Sequence, residues 1–380
     1  MPQPFDFAPL NRVVFGAGTI GQLGELVREL GGSRVLLVTD PGLEKAGHPQ
    51  RAVRILEEAK IQVHVFDQVK ENPNTRQVNQ GVEFARQRRI DFIVAVGGGS
   101  SMDCAKGINF LLTNGGKMED YKGLGKATKP MLPSIGVPTT AGTGSEAQCY
   151  ALITDESSHL KMACGDKKAA FRVAILDPEL TLSLPPSVTA VTGIDALAHA
   201  IESYVSTKRS PFSQLYSLAA WRHLEPHLEI VLREPNNLEA RAAMQLGSHL
   251  AGMAIENAML GICHSCANPL TAHYGIVHGT AIGILLPHVI RFNALAADSL
   301  YRDLVRSSHL TNGEPPSEIL ARRVTELVAL AGLPTRLRDS GVSQSILHLL
   351  AEEASQQWTA KFNPRSVTQT DLQHVYERSW

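Results

Sequence analysis

Hydrophobic and polar positions in the first half of the chain alternate between two periods. Short β-branched runs are separated by longer amphipathic stretches, a pattern typical of a parallel sheet covered by helices. The runs predict strands at residues 35–39, 61–66, 92–96, 134–137 and 173–176, and residues 75–88 predict a helix. The run at 11–15 is more polar and predicts an edge strand. The first half is therefore predicted to be α/β.

The pattern changes after Leu184-Pro185-Pro186. Ala, Leu, Met and Glu predominate from there, and helical periodicity continues almost to Trp380. We predict two domains: an α/β dinucleotide-binding domain over 1–181 and an all-α metal-binding domain over 182–380. The first helix of the second domain is expected to be capped around Ser187.

Two glycine-rich segments compete as the phosphate-binding loop. Gly-Ala-Gly-Thr-Ile-Gly at 16–21 has the spacing of a dinucleotide fingerprint, with Asp40 nineteen residues beyond its last glycine. Gly-Gly-Gly-Ser-Ser-Met-Asp at 97–103 follows a fully apolar strand and precedes a helix, so backbone N–H groups and Ser100 could meet a pyrophosphate. Either segment could be an ordinary tight turn. The second is favoured, because ligands of open α/β sheets bind at the carboxyl ends of central strands.

Two further features suit a dinucleotide. The loop at 138–146 follows another apolar strand, and its hydroxyls, Ser145 among them, could surround a polar ligand, although a flexible turn would look the same. Asp40 ends a predicted strand, where a carboxylate binds a ribose diol and repels a 2′-phosphate, which favours NAD over NADP. The alternative for Asp40 is a helix cap.

A metal site is indicated in the second half. Asp195 and His199 are four residues apart on a predicted helix with apolar neighbours, so both face one side and the buried carboxylate needs a partner. The pair alone could be a helix-start Asp and a core histidine. His264 and His278, in a stretch rich in histidine, favour a metal site over these structural roles. One carboxylate and three neutral imidazoles would hold a divalent ion, with Fe(II) or Zn(II) as the leading candidates.

Cys263 and Cys266 form a C-x-x-C around His264 and are alternative zinc ligands. The other three of the five cysteines are isolated, so no second pair completes a structural site. Apolar packing is the favoured role.

Composition narrows the function. A net charge of -1 and a pI near 6.9 provide no field for recruiting nucleic acid or an anionic membrane, which favours a small-molecule partner. The odd set of five cysteines and the lack of a secretory leader indicate reduced thiols and a cytoplasmic location. The apolar run at 282–290 is too short to cross a bilayer.

Taken together, these segments resemble the iron-containing (group III) alcohol dehydrogenase family along nearly the whole chain. The matching motifs are GGGSSMDCAK, PTTAGTGSE, DPEL, GIDALAHAIE and H-x13-H-G. The resemblance implies a dehydroquinate synthase-like architecture, with an α/β nucleotide-binding domain, an all-α domain and an active site in the cleft between them. It also implies an oligomeric NAD-dependent enzyme, a dimer or larger, that transfers a hydride between NAD(H) and a small primary alcohol or aldehyde.

The resemblance also assigns residues. The metal ligands would be Asp195, His199, His264 and His278, and the pyrophosphate would lie on the segment from Gly97 to Ser100. The cofactor contacts would be Asp40, Asn72, Gly98, Gly99, Ser100, Asp103, Thr139, Thr140 and Lys161.

One position departs from the family pattern. Many members carry a further histidine four residues after the third ligand, where it assists proton transfer, and this chain has Asn268 there. Asparagine can orient an oxygen or a water but cannot accept a proton at neutral pH. His273 stands where relatives often have an aromatic residue, and we hypothesise that it, or a water chain to solvent, replaces the usual relay.

Two other functions are compatible with the sequence. A polyol-phosphate dehydrogenase or a lyase of the dehydroquinate synthase superfamily would use a basic cluster such as Lys161, Lys167, Lys168 and Arg172, which could equally be a solvated face. A non-catalytic metal or nucleotide sensor is less favoured, because sensing requires no ion site open to substrate.

Overall fold

The computed structural model describes residues 5, 7–157 and 160–380. The chain forms two compact units. The first, here the α/β unit, comprises Ala8–Thr140 and Gly144–Ser183. The second, here the helical unit, comprises Leu184–Trp380 together with Ala141–Thr143 and the described residues Phe5 and Phe7.

A six-stranded parallel sheet forms the centre of the α/β unit. Its strands are β1 (Arg12–Phe15), β2 (Arg34–Val38), β3 (Gln62–Phe66), β4 (Phe92–Gly97), β6 (Ser134–Pro138) and β9 (Val173–Leu176). Their order across the sheet is β1-β9-β6-β4-β2-β3. The short strands β5 (Gly123–Leu124), β7 (Tyr150–Thr154) and β8 (Lys161–Gly165) form a second sheet. The helices of this unit are α1 (Leu23–Glu29), α2 (His48–Glu58), α3 (Thr75–Gln87) and α4 (Gly99–Asn114).

The predicted strands are confirmed to within about one residue at each end, and β1 is an edge strand as predicted. Strand β4 lies between β6 and β2 with all of its residues buried. Its alternate residues pack on opposite faces: Val94 belongs to one apolar core and Ile93 to the other. A strand buried on both faces has to be apolar throughout, which explains why its sequence does not alternate.

Residues 184–380, all of them described, form eight α-helices and no strand. The helices are α5 (Pro186–Val205), α6 (Pro211–Arg233), α7 (Leu238–Ala258), α8 (Ile262–Tyr274), α9 (His278–Ser307), α10 (Pro316–Leu330), α11 (Leu347–Gln356) and α12 (Gln369–Ser379). The predicted fold class, an α/β half followed by an all-α half, is confirmed.

The predicted start of α5 is wrong in detail. The helix begins at Pro186, with Pro185 as the capping residue and no side-chain cap, so Ser187 already lies in the first turn. Proline has no N–H to satisfy and its φ suits a first turn, so a hydroxyl cap is unnecessary here.

Helix α9 is long and apolar enough, by length and composition alone, to cross a membrane. However, 67% of its most apolar window is buried inside the protein, as in the core helix of a soluble protein. Pro287 interrupts its hydrogen bonding within the same stretch. We therefore interpret α9 as the central core helix of the helical unit.

Candidate metal centre and dinucleotide site

Three histidines and one aspartate converge within the helical unit. The i,i+4 spacing on α5 brings Asp195 and His199 to one side of the helix, and their Oδ1 and Nε2 atoms are 3.3 Å apart. His264 on α8 places its Nε2 3.3 Å from the same Oδ1 atom. His278, the first residue of α9, places its Nε2 3.8 Å away. Three ring nitrogens thus surround one carboxylate oxygen, and the structure brings all four predicted ligands together.

The cluster is enclosed on most sides. Asp195, His199 and His264 are each less than a tenth exposed, whereas His278 keeps a third of its side chain exposed. The rings of His199 and His264 stack with centroids 4.9 Å apart. Among the described residues, Asp195, His199 and His264 are the group whose donor atoms lie close enough together to hold an ion. The partly exposed side, where His278 lies, is the side from which a small molecule could approach.

Glu202 is a functional residue that the sequence reasoning missed. Its Oε2 atom lies 2.5 Å from Nδ1 of His264, and its Oε1 atom accepts a hydrogen bond from the Cys263 N–H at 2.7 Å. Because Nδ1 donates its proton to this carboxylate, Nε2 of a neutral ring carries a lone pair and faces Asp195. The local signal was available, because Glu202 follows His199 by three residues and therefore lies on the same face of α5.

The charges of the cluster favour a cation. Burial alone would raise the pKa of Asp195, but the neighbouring imidazoles hold it well below its usual value. Burial likewise acts to lower the pKa of His264, yet Glu202 and Asp195 together raise it to about 9. The two carboxylates therefore hold a positive charge at this ring, which a proton or a metal ion can supply. One carboxylate and three imidazoles are a donor set that suits Fe(II) and Zn(II), so the residues present fit such an ion.

The C-x-x-C pair lies beside this cluster without belonging to it. Cys263 and Cys266 are fully buried free thiols, and burial raises the pKa of both. The Cys263 Sγ contacts the carbonyl of Ile282 on α9. Thiols that resist ionisation in this way suit packing better than zinc ligation.

Asn268 and His273 lie further along α8. The Asn268 side-chain amide donates to Oε1 of Gln357 at 3.1 Å. His273 is partly exposed, and its Nε2 atom lies 2.9 Å from both carboxylate oxygens of Glu353. The structure therefore gives each residue a side-chain partner from the segment around α11.

The second glycine segment lies at the carboxyl edge of the sheet in the α/β unit. Gly97 ends β4 with a φ of +156°, and a Cβ there would lie 2.4 Å from Oγ of Ser101. A Cβ on Gly98 would lie 3.2 Å from the side chain of Thr140, which follows β6. Asp40, which follows β2, accepts a hydrogen bond from Ser101 at 3.3 Å. Residues that follow three neighbouring strands therefore meet here.

This edge of the sheet has unused hydrogen-bonding groups. Helix α4 begins at Gly99 with Gly98 as its capping residue and no side-chain cap, so its first N–H groups point outward. Thr139 is buried, its N–H donates to the Gly97 carbonyl at 2.9 Å, and its Oγ1 has no partner among the described residues. An uncapped helix start and an unpartnered hydroxyl suit a phosphate or a ribose. The residues therefore fit a dinucleotide.

The first glycine segment is already occupied by the protein itself. The carboxylate of Asp177 accepts hydrogen bonds from the N–H groups of Gly18, at 3.1 Å, and Ile20, at 3.2 Å. This carboxylate takes the position that a phosphate would need. The context-based preference for the segment at 97–103 therefore has a physical reason that was not visible in the local sequence.

A buried polar cluster adjoins α4. Ser145 donates to Oδ1 of Asp103 at 2.6 Å, and the Lys106 ammonium contacts the carbonyl of Ser145 at 2.7 Å. Burial raises the pKa of Asp103, and Lys106 opposes that shift. Lys161 instead donates to Oδ1 of Asn72 at 3.2 Å, which ties together two other predicted cofactor contacts. Sequence reasoning did not single out Lys106, although it belongs to the GGGSSMDCAK motif.

The basic cluster weighed for a phosphorylated substrate is partly neutralised. Lys168 lies 3.3 Å from the Asp166 carboxylate and also donates to the Ala127 carbonyl. Lys161 donates to Asn72, so two of the four residues in the basic cluster already have partners.

Comparison with known proteins gives matches along the whole chain. Residues 10–178 match the family described as iron-containing alcohol dehydrogenase, and residues 189–380 match the C-terminal domain of the Fe-containing alcohol dehydrogenase family. The chain is 38% identical to alcohol dehydrogenase 4 of Schizosaccharomyces pombe, over 96% of this chain and 86% of that protein. It is 33% identical to the NAD-dependent methanol dehydrogenase of Bacillus methanolicus, over 96% of this chain and 97% of that protein. A solved structure of a 1,3-propanediol oxidoreductase superposes with a TM-score of 0.96 at 35% identity, covering all of both chains.

Proposed function

We propose that this chain, which belongs to the iron-containing alcohol dehydrogenase family and is a metal-dependent oxidoreductase, transfers a hydride between NAD(H) and a small primary alcohol or aldehyde. The observation that carries the proposal is the convergence of three imidazole nitrogens on one buried carboxylate oxygen. We assign residues 1–181 as the dinucleotide-binding domain and residues 182–380 as the metal-binding domain.

We assign the metal ligands as Asp195, His199, His264 and His278, and the ion as Fe(II), with Zn(II) as the alternative. A bound divalent ion would supply Lewis acidity toward the substrate oxygen. Asp195 would balance part of the ion's charge. Glu202 would hold the His264 ring with Nε2 directed inward, because its carboxylate fixes the proton on Nδ1. The exposed flank of His278 would leave room for a small substrate.

We assign the cofactor as NAD, consistent with the relative named as NAD-dependent. NAD would supply the hydride acceptor, and the N–H groups at the start of α4 would bind its pyrophosphate. The carboxylate of Asp40 would bind the adenosine ribose and repel a 2′-phosphate. The assigned contacts are Asp40, Asn72, Gly97, Gly98, Gly99, Ser100, Asp103, Thr139, Thr140, Ser145 and Lys161.

Proton transfer needs a group other than Asn268, whose amide cannot take up a proton. We propose that His273 serves as the relay to solvent, alone or through water. Its partly exposed ring pairs with the Glu353 carboxylate. His273→Ala should lower the rate and change its pH profile, with Asn268→Ala as the comparison. An unchanged rate and profile in His273→Ala would refute this role.

We propose a cytoplasmic enzyme that forms homo-oligomers, a dimer or larger. Its substrates are alcohols or aldehydes, and we expect neither nucleic acid nor a membrane as a partner.

The test combines metal analysis with a substrate screen. Anaerobically purified protein should contain about one divalent ion per chain and should reduce NAD with small primary alcohols, as followed by NADH absorbance. His264→Ala should lose metal and turnover together, whereas His374→Ala, an exposed histidine on α12, should retain both. A preference for phosphorylated alcohols, or tight NAD binding and full metal content without turnover on any alcohol, would contradict the proposal.

A further inference from the structure

A cavity of about 500 Å³ opens on the helical unit, at a place that the proposed reaction does not use. Buried apolar residues of α9 and α10, including Ile284, Pro287 and Val328, form its floor. None of the four proposed metal ligands lines it. One of its lining residues, Arg291, lies thirteen residues after His278 on α9, or roughly 20 Å along the helix axis.

Three arginines line the cavity: Arg291 from α9, Arg336 from the segment after α10, and Arg378 from α12. Arg291 pairs with Glu318 at 2.9 Å. Arg336 and Arg378 make no ion pair with any carboxylate in the described part of the chain. Two guanidinium groups that converge on a concave surface without acidic partners create a local positive potential, although the net charge of the chain is only -1.

The pKa of His288, which lines the cavity, is affected by this positive potential. Burial, Arg291 and Arg378 together lower the pKa of its ring to about 4. Two of the three arginine charges therefore act on the same point, and the neutral ring adds a polar group beside the apolar floor.

An aromatic side chain forms part of the wall. Trp380 lines the cavity, and its indole N–H donates to the Val342 carbonyl at 2.8 Å. The Arg338 guanidinium lies 6.0 Å from the centroid of the same ring system. Aromatic and apolar lining with a few polar groups is usual for a small-molecule site, and the volume lies within the range of such sites.

We propose that this cavity binds a small organic polyanion, a molecule with at least two carboxylate or phosphate groups on a short carbon skeleton. The anionic groups would pair with Arg336 and Arg378, because guanidinium matches the planar geometry of carboxylate and phosphate oxygens. The carbon skeleton would lie on the apolar floor. The site depends on neither the metal nor NAD, so it does not rest on the proposed function.

Binding should be measured on the full-length protein with two probes, citrate for carboxylates and inorganic pyrophosphate for phosphates. Isothermal titration at constant ionic strength should give saturable binding of at least one probe, with one site per chain. The probe that binds identifies which group the site prefers. Sodium chloride at matched ionic strength is the control for screening.

Variants locate the site. The double variant Arg336→Gln/Arg378→Gln removes two exposed side chains, so it should fold, and it should weaken probe binding about a hundredfold, since each charge-assisted bond contributes roughly tenfold. The matched control, Arg302→Gln/Arg306→Gln, removes two exposed arginines of α9 that do not line the cavity and should leave binding unchanged. Thr325→Trp, an exposed position at the rim, should block binding by filling the cavity.

Three results would overturn the proposal. The first is a failure of both probes to saturate. The second is equal weakening in the cavity double variant and the matched control. The third is unchanged probe binding together with a change in oligomeric mass in Arg336→Gln/Arg378→Gln, which would show that the arginines face another copy of the chain.

Discussion

The contact between Glu202 and His264 leads to a prediction about metal affinity. Glu202 is 4% exposed, and its two oxygens accept from Nδ1 of His264 and from the Cys263 N–H. Glu202→Gln keeps the size of the side chain but removes its charge and replaces one acceptor with an amide donor. The N–H of His264 or of Cys263 then loses its partner.

The expected loss follows from the strength of that contact. A hydrogen bond to a buried charged group contributes about 1.5–3 kcal/mol, and about 1.4 kcal/mol corresponds to a factor of ten. The acceptor is a carboxylate and both side chains are buried, so this contact is a charge-assisted hydrogen bond. We therefore expect Glu202→Gln to bind the metal roughly 10- to 100-fold more weakly, a range typical of residues that orient a metal ligand.

The assay is competition between apo-protein and a chelator for Co(II), with the visible spectrum of the bound ion as a second readout. Glu225→Gln is the matched control, because Glu225 is also 4% exposed in the helical unit but pairs with Arg323 at 2.6 Å. The control should lower the thermal stability and leave Co(II) affinity unchanged. If Glu202→Gln binds Co(II) as tightly as the unaltered protein, with the same spectrum, Glu202 does not orient His264.

Three shorter predictions test the packing and the cofactor site. Gly279→Ala would place a Cβ 2.0 Å from the backbone oxygen of Val191, so it should lower the melting temperature by several degrees and reduce the metal content. Gly21→Ala is the control, because a Cβ there would have no atom within 4 Å, and it should change neither quantity. A thermal-shift assay and metal analysis measure the two effects. Asp177→Asn should lower the free energy of unfolding by about 1–3 kcal/mol, as measured with denaturant, and should leave the Kd for NAD unchanged. The reason is that the Asp177 carboxylate binds N–H groups of the first glycine segment and not the cofactor. Asp40→Ser should lower the ratio of kcat/KM with NAD to kcat/KM with NADP at least tenfold, because the carboxylate that would repel a 2′-phosphate is removed.

Much of the fold could be predicted because its signals are local. The apolar run of β4 and the glycines after it lie within a dozen residues, so one stretch of sequence specifies the strand, the turn and the start of α4. The same holds for Asp195 and His199, since one turn of helix separates them. The prediction of a cap at Ser187 was wrong, because a proline at the helix start makes a capping hydroxyl unnecessary.

The sequence by itself determined which segments become strands and helices and which face of α5 carries the metal-ligating side chains, because backbone periodicity decides both. Only the tertiary structure decided the partners that those segments meet. Glu202 contacts His264 across 62 positions, and Asp177 occupies the glycine turn at Gly18 across 159. Local periodicity carries no information about such distant pairs, since they form only when separate helices and strands pack together.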